Sequence, residues 1–411
     1  MTKRELMKKN IFWNMIGSFT LSITSLFYSI ILTRYCNLED AGIFAFGFSF
    51  ACMMVTLASF GGRTYQVTDH SGKINTISYI ITRYLTVNIA FLLIMIYLVV
   101  KDYNLLKTIS IIFLCVFKFL EEISDVYYAI LQKTNKLYVV GKCQFIKSLI
   151  NIIGFSIIIL LTKKILFAIL FITLINLIFT FVIERPFAKK EDNWEFSFKY
   201  NEIAHILKSN FLICSYTFLS SCIISAPKYA IDEYLTNEMQ AIFNPIVMPA
   251  TIMFVISGFI VTPLLVNISL LFKEKQINDI KKILRKMIYM VAGSGLIIIL
   301  GAYIVGIPVL NIIYNLRLNK YKLDLIFIIV GAIFYTISSI IGTVLITMRE
   351  IVPQLFITIL NTLFAFIISY YLVYKYGIHG GSIGYLLTMV FRILTYFILS
   401  KFTFLKYEVK D

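Results

Sequence analysis

One apolar stretch of the sequence carries four ionisable side chains that could bind a polar substrate, an ion or a proton. In the segment 108–131 these are Lys118, Glu121, Glu122 and Asp125. At about 100° per residue, all four fall within an arc of about 100° on one face of a helix. If that helix crosses a bilayer, each central charge costs about 2.5 to 3.5 kcal/mol on insertion scales, so these residues are candidates for function.

The next apolar segment, 138–161, carries a similar polar face that includes Lys147 and Asn151. We expect the two faces to meet, and two interpretations remain open. In the first, they line a water-filled cavity that binds a polar substrate or carries protons or ions. In the second, they form an internal ion network, in which Lys118 and Lys147 neutralise two of the three acids.

Further cations occur near or within other apolar segments. Arg392 lies in the last segment, on the same face as two tyrosines, and both interpretations apply to it. Arg34, Arg63 and Lys228 lie at segment ends, where long side chains reach the interface by snorkelling. We keep Lys228 as a cavity candidate, and Arg34 and Arg63 as weaker candidates for a gate.

The composition places these side chains in a membrane protein. Of 411 residues, 59% are hydrophobic and only 15% are charged, whereas charged residues make up about 25% of soluble proteins. A membrane helix needs about 20 apolar residues. About twelve such segments occur, so we predict an all-α polytopic membrane protein. The segments are 11–33, 42–60, 79–100, 108–131, 138–161, 165–183, 206–226, 241–271, 287–306, 323–347, 351–374 and 380–402.

A polar pattern in the first segment recurs about half a chain later. Asn14, Ser18, Ser25 and Ser29 occupy one helix face, and Asn210, Cys214, Ser221 and Ser225 repeat their spacing. Duplicated halves are typical of transporters. We therefore predict two similar six-helix lobes, 1–183 and 206–411, joined by a cytoplasmic amphipathic linker, 184–205. Among the stripe residues, Asn14, Ser18, Ser25, Asn210 and Ser221 are candidates for lining the cavity.

The net charge of +16 does not indicate nucleic-acid binding, because the basic residues are scattered among short loops. Their distribution follows the positive-inside rule and predicts that both termini face the cytoplasm. Aromatic and aliphatic residues alternate with charges between Glu184 and Asn210, which suggests a lateral amphipathic helix at the membrane surface.

Catalytic and metal-binding patterns are missing from the sequence. The three histidines are far apart and the six cysteines lack metal-type spacing, and no nucleophile or phosphate-loop motif occurs. We expect no enzyme activity, no metal and no cofactor.

Three stretches resemble Wzx-type polysaccharide flippases of the MATE-like MOP exporter superfamily. They are RYCNLEDAGIF at 34–44, PKYAIDEYL at 227–235 and YGIHGG at 376–381. The resemblance covers nearly the whole chain. It implies translocation of an undecaprenyl-diphosphate-linked oligosaccharide across the bacterial cytoplasmic membrane by alternating access between two lobes. Lipid-linked oligosaccharide and membrane lipids would be its partners, along with a polysaccharide polymerase and glycosyltransferases.

Two other function classes remain open. A cation-coupled drug or metabolite antiporter of the same superfamily would suit the acidic cluster. A membrane-embedded polysaccharide polymerase or ligase would have similar length, but such enzymes carry a large outer loop, and the outer loops predicted here are short. The resemblance also implies a cationic central cavity, and the three acids of segment 108–131 depart from that pattern.

Overall fold

The computed structural model describes residues 3–69, 73–251, 253, 264 and 268–408, and within these ranges the regular structure is entirely helical. We number the helices in chain order. They are α1 (Lys3–Tyr35), α2 (Leu38–Ser59), α3 (Gly62–Thr68), α4 (Thr76–Lys101), α5 (Leu105–Lys133), α6 (Leu137–Thr162), α7 (Ile165–Ile178), α8 (Arg185–Glu191), α9 (Tyr200–Tyr234), α10 (Asn237–Val247), α11 (Ile277–Gly301), α12 (Ile307–Tyr314), α13 (Lys322–Thr347), α14 (Ile351–Tyr376) and α15 (Ile378–Glu408).

Ten helices in the described part of the chain are long and apolar enough to cross a membrane. The helix α5 is also long enough, with 29 residues, but its charged face sets it apart from the ten. The predicted segment 241–271 begins in α10, and most of its second half lies outside the described residues. The prediction of an all-α polytopic membrane protein is confirmed.

The chain divides into two compact units, Met1–Phe218 and Leu219–Asp411. This division falls within α9, later than the predicted start of a second lobe at residue 206. In the first unit, α5 packs against α2, α4, α6 and α7. Its position at the centre of the unit explains why most of its surface is buried.

Glycine sets the approach of α1 to α6 in the first unit. A Cβ atom on Gly141 would lie 2.1 Å from the Trp13 carbonyl oxygen, and one on Gly17 would lie 2.3 Å from the Gly141 carbonyl oxygen. Small residues at such crossings allow helix backbones to approach closely in a membrane. This contact holds the polar face of α6 against the rest of the unit.

A tight hairpin joins α14 to α15 in the second unit. Gly377 adopts φ 59° and ψ −135°, a conformation that is essentially limited to glycine. A Cβ atom on Gly380 would lie 1.9 Å from the Leu372 carbonyl oxygen. The YGIHGG stretch therefore forms a turn that larger residues could not make.

The predicted lateral amphipathic helix does not form as a single element. The chain continues from α7 through a π-helical turn, Phe179–Glu184, into the short α8, and residues 193–199 form no regular secondary structure. Tertiary contacts hold this irregular segment. Asp192 accepts a hydrogen bond from the Thr76 hydroxyl, and Trp194 stacks on Tyr127 with ring centroids 6.1 Å apart.

The two sequence repeats share the same local helix–loop–helix structure. Tyr35 is the last residue of α1 and Tyr234 is the last residue of α9. Glu39 and Glu238 lie in the first turns of α2 and α10. Like charges at corresponding helix N-termini favour the same local structure, because acids there complement the helix dipole.

Candidate functional site

A charged face on α5 is the main candidate site. Lys118, Glu121, Glu122 and Asp125 lie along it, as the helical spacing predicts. Their side chains are between 17% and 28% exposed, whereas most of the helix is buried. Lys118 Nζ lies 2.7 Å from Glu121 Oε2, and this pair needs only the i,i+3 geometry of one helix.

A buried arginine from a neighbouring helix neutralises Glu122. Arg83 of α4 is 3% exposed, and its guanidinium lies 3.0 Å from the Glu122 carboxylate. It also donates a hydrogen bond of 3.1 Å to the Ala58 carbonyl oxygen. A Cβ atom on Gly62 would lie 2.3 Å from the guanidinium, so glycine at that position makes room for Arg83.

Asp125 pairs with Arg63 of α3 at 3.3 Å. The Arg63 Nε donates to the Gln132 side-chain oxygen at 2.9 Å. Arg63 therefore extends towards α5, although its place at a segment end indicated snorkelling to the interface. Each of the three acids on the charged face now has a cation, and each cation comes from a different helix.

Lys147 has a partner that the sequence did not indicate. In one of the two interpretations of the sequence, Lys147 neutralises an acid of segment 108–131, and the structure does not form that pair. The Nζ of Lys147 lies 2.9 Å from the Glu184 carboxylate, with both side chains almost fully buried. The Tyr128 hydroxyl of α5 donates to the same carboxylate oxygen and lies 3.4 Å from Nζ. The faces of α5 and α6 therefore meet through Tyr128, and the anion comes from a third helix.

Glu184 ends the π-helical turn that follows α7, and we had placed it at the start of the linker. A signal for its burial was present, since Asn176, Thr180 and Glu184 recur every four residues along one helix face. Thr180 hydrogen-bonds Ser124 at 2.8 Å. Asn151 is also buried, at 3% exposure. Its side-chain oxygen has no hydrogen-bond partner among the described residues.

The polar stripe of α1 is more accessible than that of α9. Ser18 is exposed, and Asn14 and Ser25 are half-buried. Asn210 is 1% exposed and lies against the turn between α2 and α3. Its side-chain oxygen would be 2.5 Å from a Cβ atom on Gly61. In the second unit, Ser221 is half-buried.

The remaining candidate cations belong to helices other than α5. Lys228 donates a hydrogen bond of 3.1 Å to the Asn244 side chain. Arg392 is 1% exposed, and its Nε donates to the Ser338 hydroxyl at 3.1 Å. The guanidinium lies 4.9 and 5.1 Å from the ring centroids of two tyrosines, Tyr335 and Tyr396, at distances typical of cation–π contacts. Arg34 is exposed at the end of α1.

Among the described residues, no group of three or more His, Cys, Asp or Glu side chains is arranged to hold a metal ion. The charged face itself is built from ion pairs and hydrogen bonds. It offers ammonium and guanidinium donors beside carboxylate acceptors, in a partly exposed position within a membrane helix. Such a face can bind a polar or anionic group by exchanging internal ion pairs for contacts with that group.

Comparisons with known proteins agree with this architecture. No family model matches the chain. A Staphylococcus aureus protein named capsular polysaccharide biosynthesis protein CapF is 22% identical over 396 residues, covering 95% of this chain and 98% of the relative.

Two solved structures match almost the whole chain. An inward-facing multidrug resistance MATE transporter of the MOP superfamily has a TM-score of 0.69 at 12% identity and covers 97% of this chain and 99% of its own. The lipid II flippase MurJ, in an inward closed conformation, has a TM-score of 0.68 at 18% identity and covers 96% and 90%. The chain therefore has the all-helical membrane fold that the MATE transporters of the MOP superfamily share with MurJ.

Proposed function

We propose that this protein is a flippase that moves undecaprenyl-diphosphate-linked oligosaccharide units across the bacterial cytoplasmic membrane during synthesis of a surface polysaccharide. The observation that carries the proposal is the partly exposed, ion-paired face of α5. The name of the Staphylococcus aureus relative and the likeness in fold to MurJ support the lipid-linked substrate. Translocation would proceed by alternating access.

The physical chemistry of the substrate suits such a face. A diphosphate bearing several sugars cannot cross hydrocarbon, because each unsatisfied polar group costs several kcal/mol there. A flippase therefore needs a hydrated surface for the head group while the polyprenyl tail stays in lipid. Cations such as Lys118 and Arg63 can contact phosphate, and carboxylates can accept hydrogen bonds from sugar hydroxyls.

Ion pairing within the charged face also bears on its stability. Isolated charges in a membrane helix are costly, but here each carboxylate has a cation at 2.7 to 3.3 Å. The face can stay charged between transport cycles because its own partners stabilise it. A bound head group would then replace one set of charge contacts with another.

We propose Lys118, Glu121, Glu122 and Asp125 as the core of the substrate face. Arg63 and Arg83 would complete it, the first by direct contact and the second by holding Glu122. We assign the buried Lys147 a structural role, with Glu184 as its partner. The accessible hydroxyls of α1, including Ser18, would extend the polar surface.

The cellular setting follows from the same proposal. The protein would lie in the bacterial inner membrane with both termini in the cytoplasm, and it would act without catalysing a covalent step. A polysaccharide polymerase and glycosyltransferases would act on its product and supply its substrate.

One observation favours a second candidate function. Three carboxylates on one membrane helix could couple transport to a cation, and several solved structures with this fold are MATE transporters. A cation-coupled drug or metabolite antiporter would use the same face to bind protons or sodium ions. Its substrate would be small and would carry no polyprenyl tail.

Reconstitution separates the two candidates. The full-length protein would be placed in liposomes containing a fluorescent undecaprenyl-diphosphate-linked oligosaccharide, and accessibility of the sugar to an impermeant lectin would be followed over time. We expect a faster gain in accessibility than in protein-free liposomes. The Glu121→Gln variant, at an equal amount of folded protein, should lose this gain.

The same liposomes, loaded with a cationic dye and given a pH or sodium gradient, test the antiporter. Gradient-driven dye movement without movement of the lipid-linked sugar would refute the flippase proposal. Movement of the sugar without dye export would support it.

A further inference from the structure

A basic groove lies beside α8, at the end of the first unit that the charge pattern assigns to the cytoplasm. It has a volume of about 630 Å³ and is lined by Phe181, Arg185, Pro186, Lys189, Lys190 and Asn193. Half of these residues are cations. None of the three cations makes an ion pair within the described part of the chain, and no acid lines the groove.

The three acids that lie within two residues of the groove cations in sequence make contacts elsewhere. Glu184 points inward and binds Lys147. Glu191 pairs with Lys136 of the turn between α5 and α6 at 2.6 Å, and Asp192 accepts from Thr76. The alternation of acids and bases in the sequence would suggest a neutral surface, but the fold separates them. These acids therefore do not neutralise the three cations of the groove.

The membrane side of the groove is apolar. Phe181 and Pro186 belong to its lining, and Val182, 66% exposed, lies beside them. Towards the membrane interior, Leu174 and Leu177 of α7 are also exposed, at 55% and 44%. A basic site above an exposed apolar helix face matches the two parts of an anionic lipid, a phosphate head and a hydrocarbon chain.

The groove is separate from the charged face of α5. Trp194, next to Asn193 of the groove, stacks on Tyr127, and Arg185 acts electrostatically on the same tyrosine. At about 100° per residue, Tyr127 lies about 180° around α5 from Lys118. A ligand in the groove is thus on the opposite side of α5 from the proposed substrate face, which favours a resident membrane lipid over the transported one.

We propose that Arg185, Lys189 and Lys190 bind the phosphate head of an anionic phospholipid from the cytoplasmic leaflet, with an acyl chain lying along the exposed side of α7. The inference does not depend on the transported substrate. Its structural consequence is local, since the bound lipid would hold α8 next to the turn that positions Glu184.

Native mass spectrometry of the full-length protein in detergent tests the proposal, with phosphatidylglycerol and phosphatidylcholine as probes. We expect phosphatidylglycerol to bind more tightly. The triple variant Arg185→Gln/Lys189→Gln/Lys190→Gln should weaken its binding roughly 100-fold, because each basic contact near a membrane surface contributes roughly fivefold.

A matched control removes the same charges elsewhere. Lys282, Arg285 and Lys286 of α11 are exposed and belong to a second basic stretch on the same predicted side. Changing all three to Gln should alter phosphatidylglycerol binding by less than about threefold, a small effect beside that of three direct contacts. If both triple variants weaken binding equally, the attraction is diffuse and the site does not exist.

Two other results would overturn the proposal. One is equal affinity of the protein for phosphatidylcholine and phosphatidylglycerol. The other is stoichiometric displacement of phosphatidylglycerol by undecaprenyl diphosphate, which would assign the groove to the transported class of lipid. Should the triple variant fail to fold, Lys190→Gln and its control Lys286→Gln serve instead, with roughly fivefold weakening expected only for the first.

Discussion

Replacing Lys147 by methionine should destabilise the protein strongly, because the change leaves the carboxylate of Glu184 without its cation. The Glu184 side chain is fully buried, and that of Lys147 is 3% exposed. One carboxylate oxygen, Oε2, has no hydrogen-bond partner among the described residues. The Tyr128 hydroxyl would remain as a donor to the other oxygen.

The expected magnitude follows from this burial. Breaking a buried ion pair by removing one partner costs about 3 to 5 kcal/mol, because the remaining charge cannot return to water. Replacing both partners removes that charge as well. We therefore expect the double variant Lys147→Met/Glu184→Gln to recover most of the loss, to within about 1 kcal/mol of the parent protein.

Fluorescence-detected size-exclusion chromatography after heating would measure the melting temperature and the membrane level of each variant. Lys118→Met is a matched control, because its partner Glu121 is 18% exposed. Water can reach the remaining carboxylate, so the loss should be clearly smaller than that caused by Lys147→Met.

Two results would contradict the stabilising role of the Lys147–Glu184 pair. One is a Lys147→Met variant that melts at the parent temperature, and the other is a double variant that is no more stable than the single one. Transport per folded molecule supplies a second test. The double variant should move substrate normally. A stable double variant that does not transport would indicate that Lys147 belongs to the proposed substrate face.

The remaining predictions concern other parts of the chain. Asp125→Asn should lower the stability less than Lys147→Met does, because its side chain is 28% exposed and water can reach the remaining cation. It should abolish sugar translocation in liposomes, and normal flux would remove Asp125 from the site. Gly141→Ala should lower the melting temperature sharply, since the new Cβ would lie 2.1 Å from a carbonyl oxygen of α1. As a control, Gly293→Ala should leave the melting temperature unchanged or slightly higher, because a Cβ there would meet no neighbouring atom within 4 Å. Burial, reinforced by a nearby carboxylate, raises the pKa of Cys36 to about 11. In a variant without the other five cysteines, the alkylation rate of Cys36 should therefore rise about tenfold per pH unit up to about pH 11. A plateau near the ordinary thiol pKa of about 8.5 would contradict that burial.

Local pattern was sufficient for much of the fold. The length of the apolar runs predicted the membrane helices, because the thickness of the bilayer determines how many residues must be apolar. The charged face of α5 followed from the helical period, and its Lys118–Glu121 pair needs only one turn of helix. The repeat located the loops after α1 and α9.

Contacts between helices could not be predicted from local sequence patterns. Arg63 lies at the end of a predicted segment and Arg83 lies within another, yet they neutralise Asp125 and Glu122, because the packing of α3 and α4 on α5 brings them there. The sequence contains many cations that could serve as partners, and local spacing does not distinguish among them.

The linker also depends on contacts between helices. Its alternating apolar and charged residues predicted one surface helix, but the stacking of Trp194 on Tyr127 and the hydrogen bond from Thr76 to Asp192 hold an irregular segment after α8. Glu184 was assigned to that linker and instead lies fully buried against Lys147. The sequence by itself determined which segments are long and apolar enough to cross the membrane and which helix carries the charges, since both depend on residues close together in the chain. Only the tertiary structure decided which charge neutralises which, because ion pairing depends on distances between helices that the chain order does not specify.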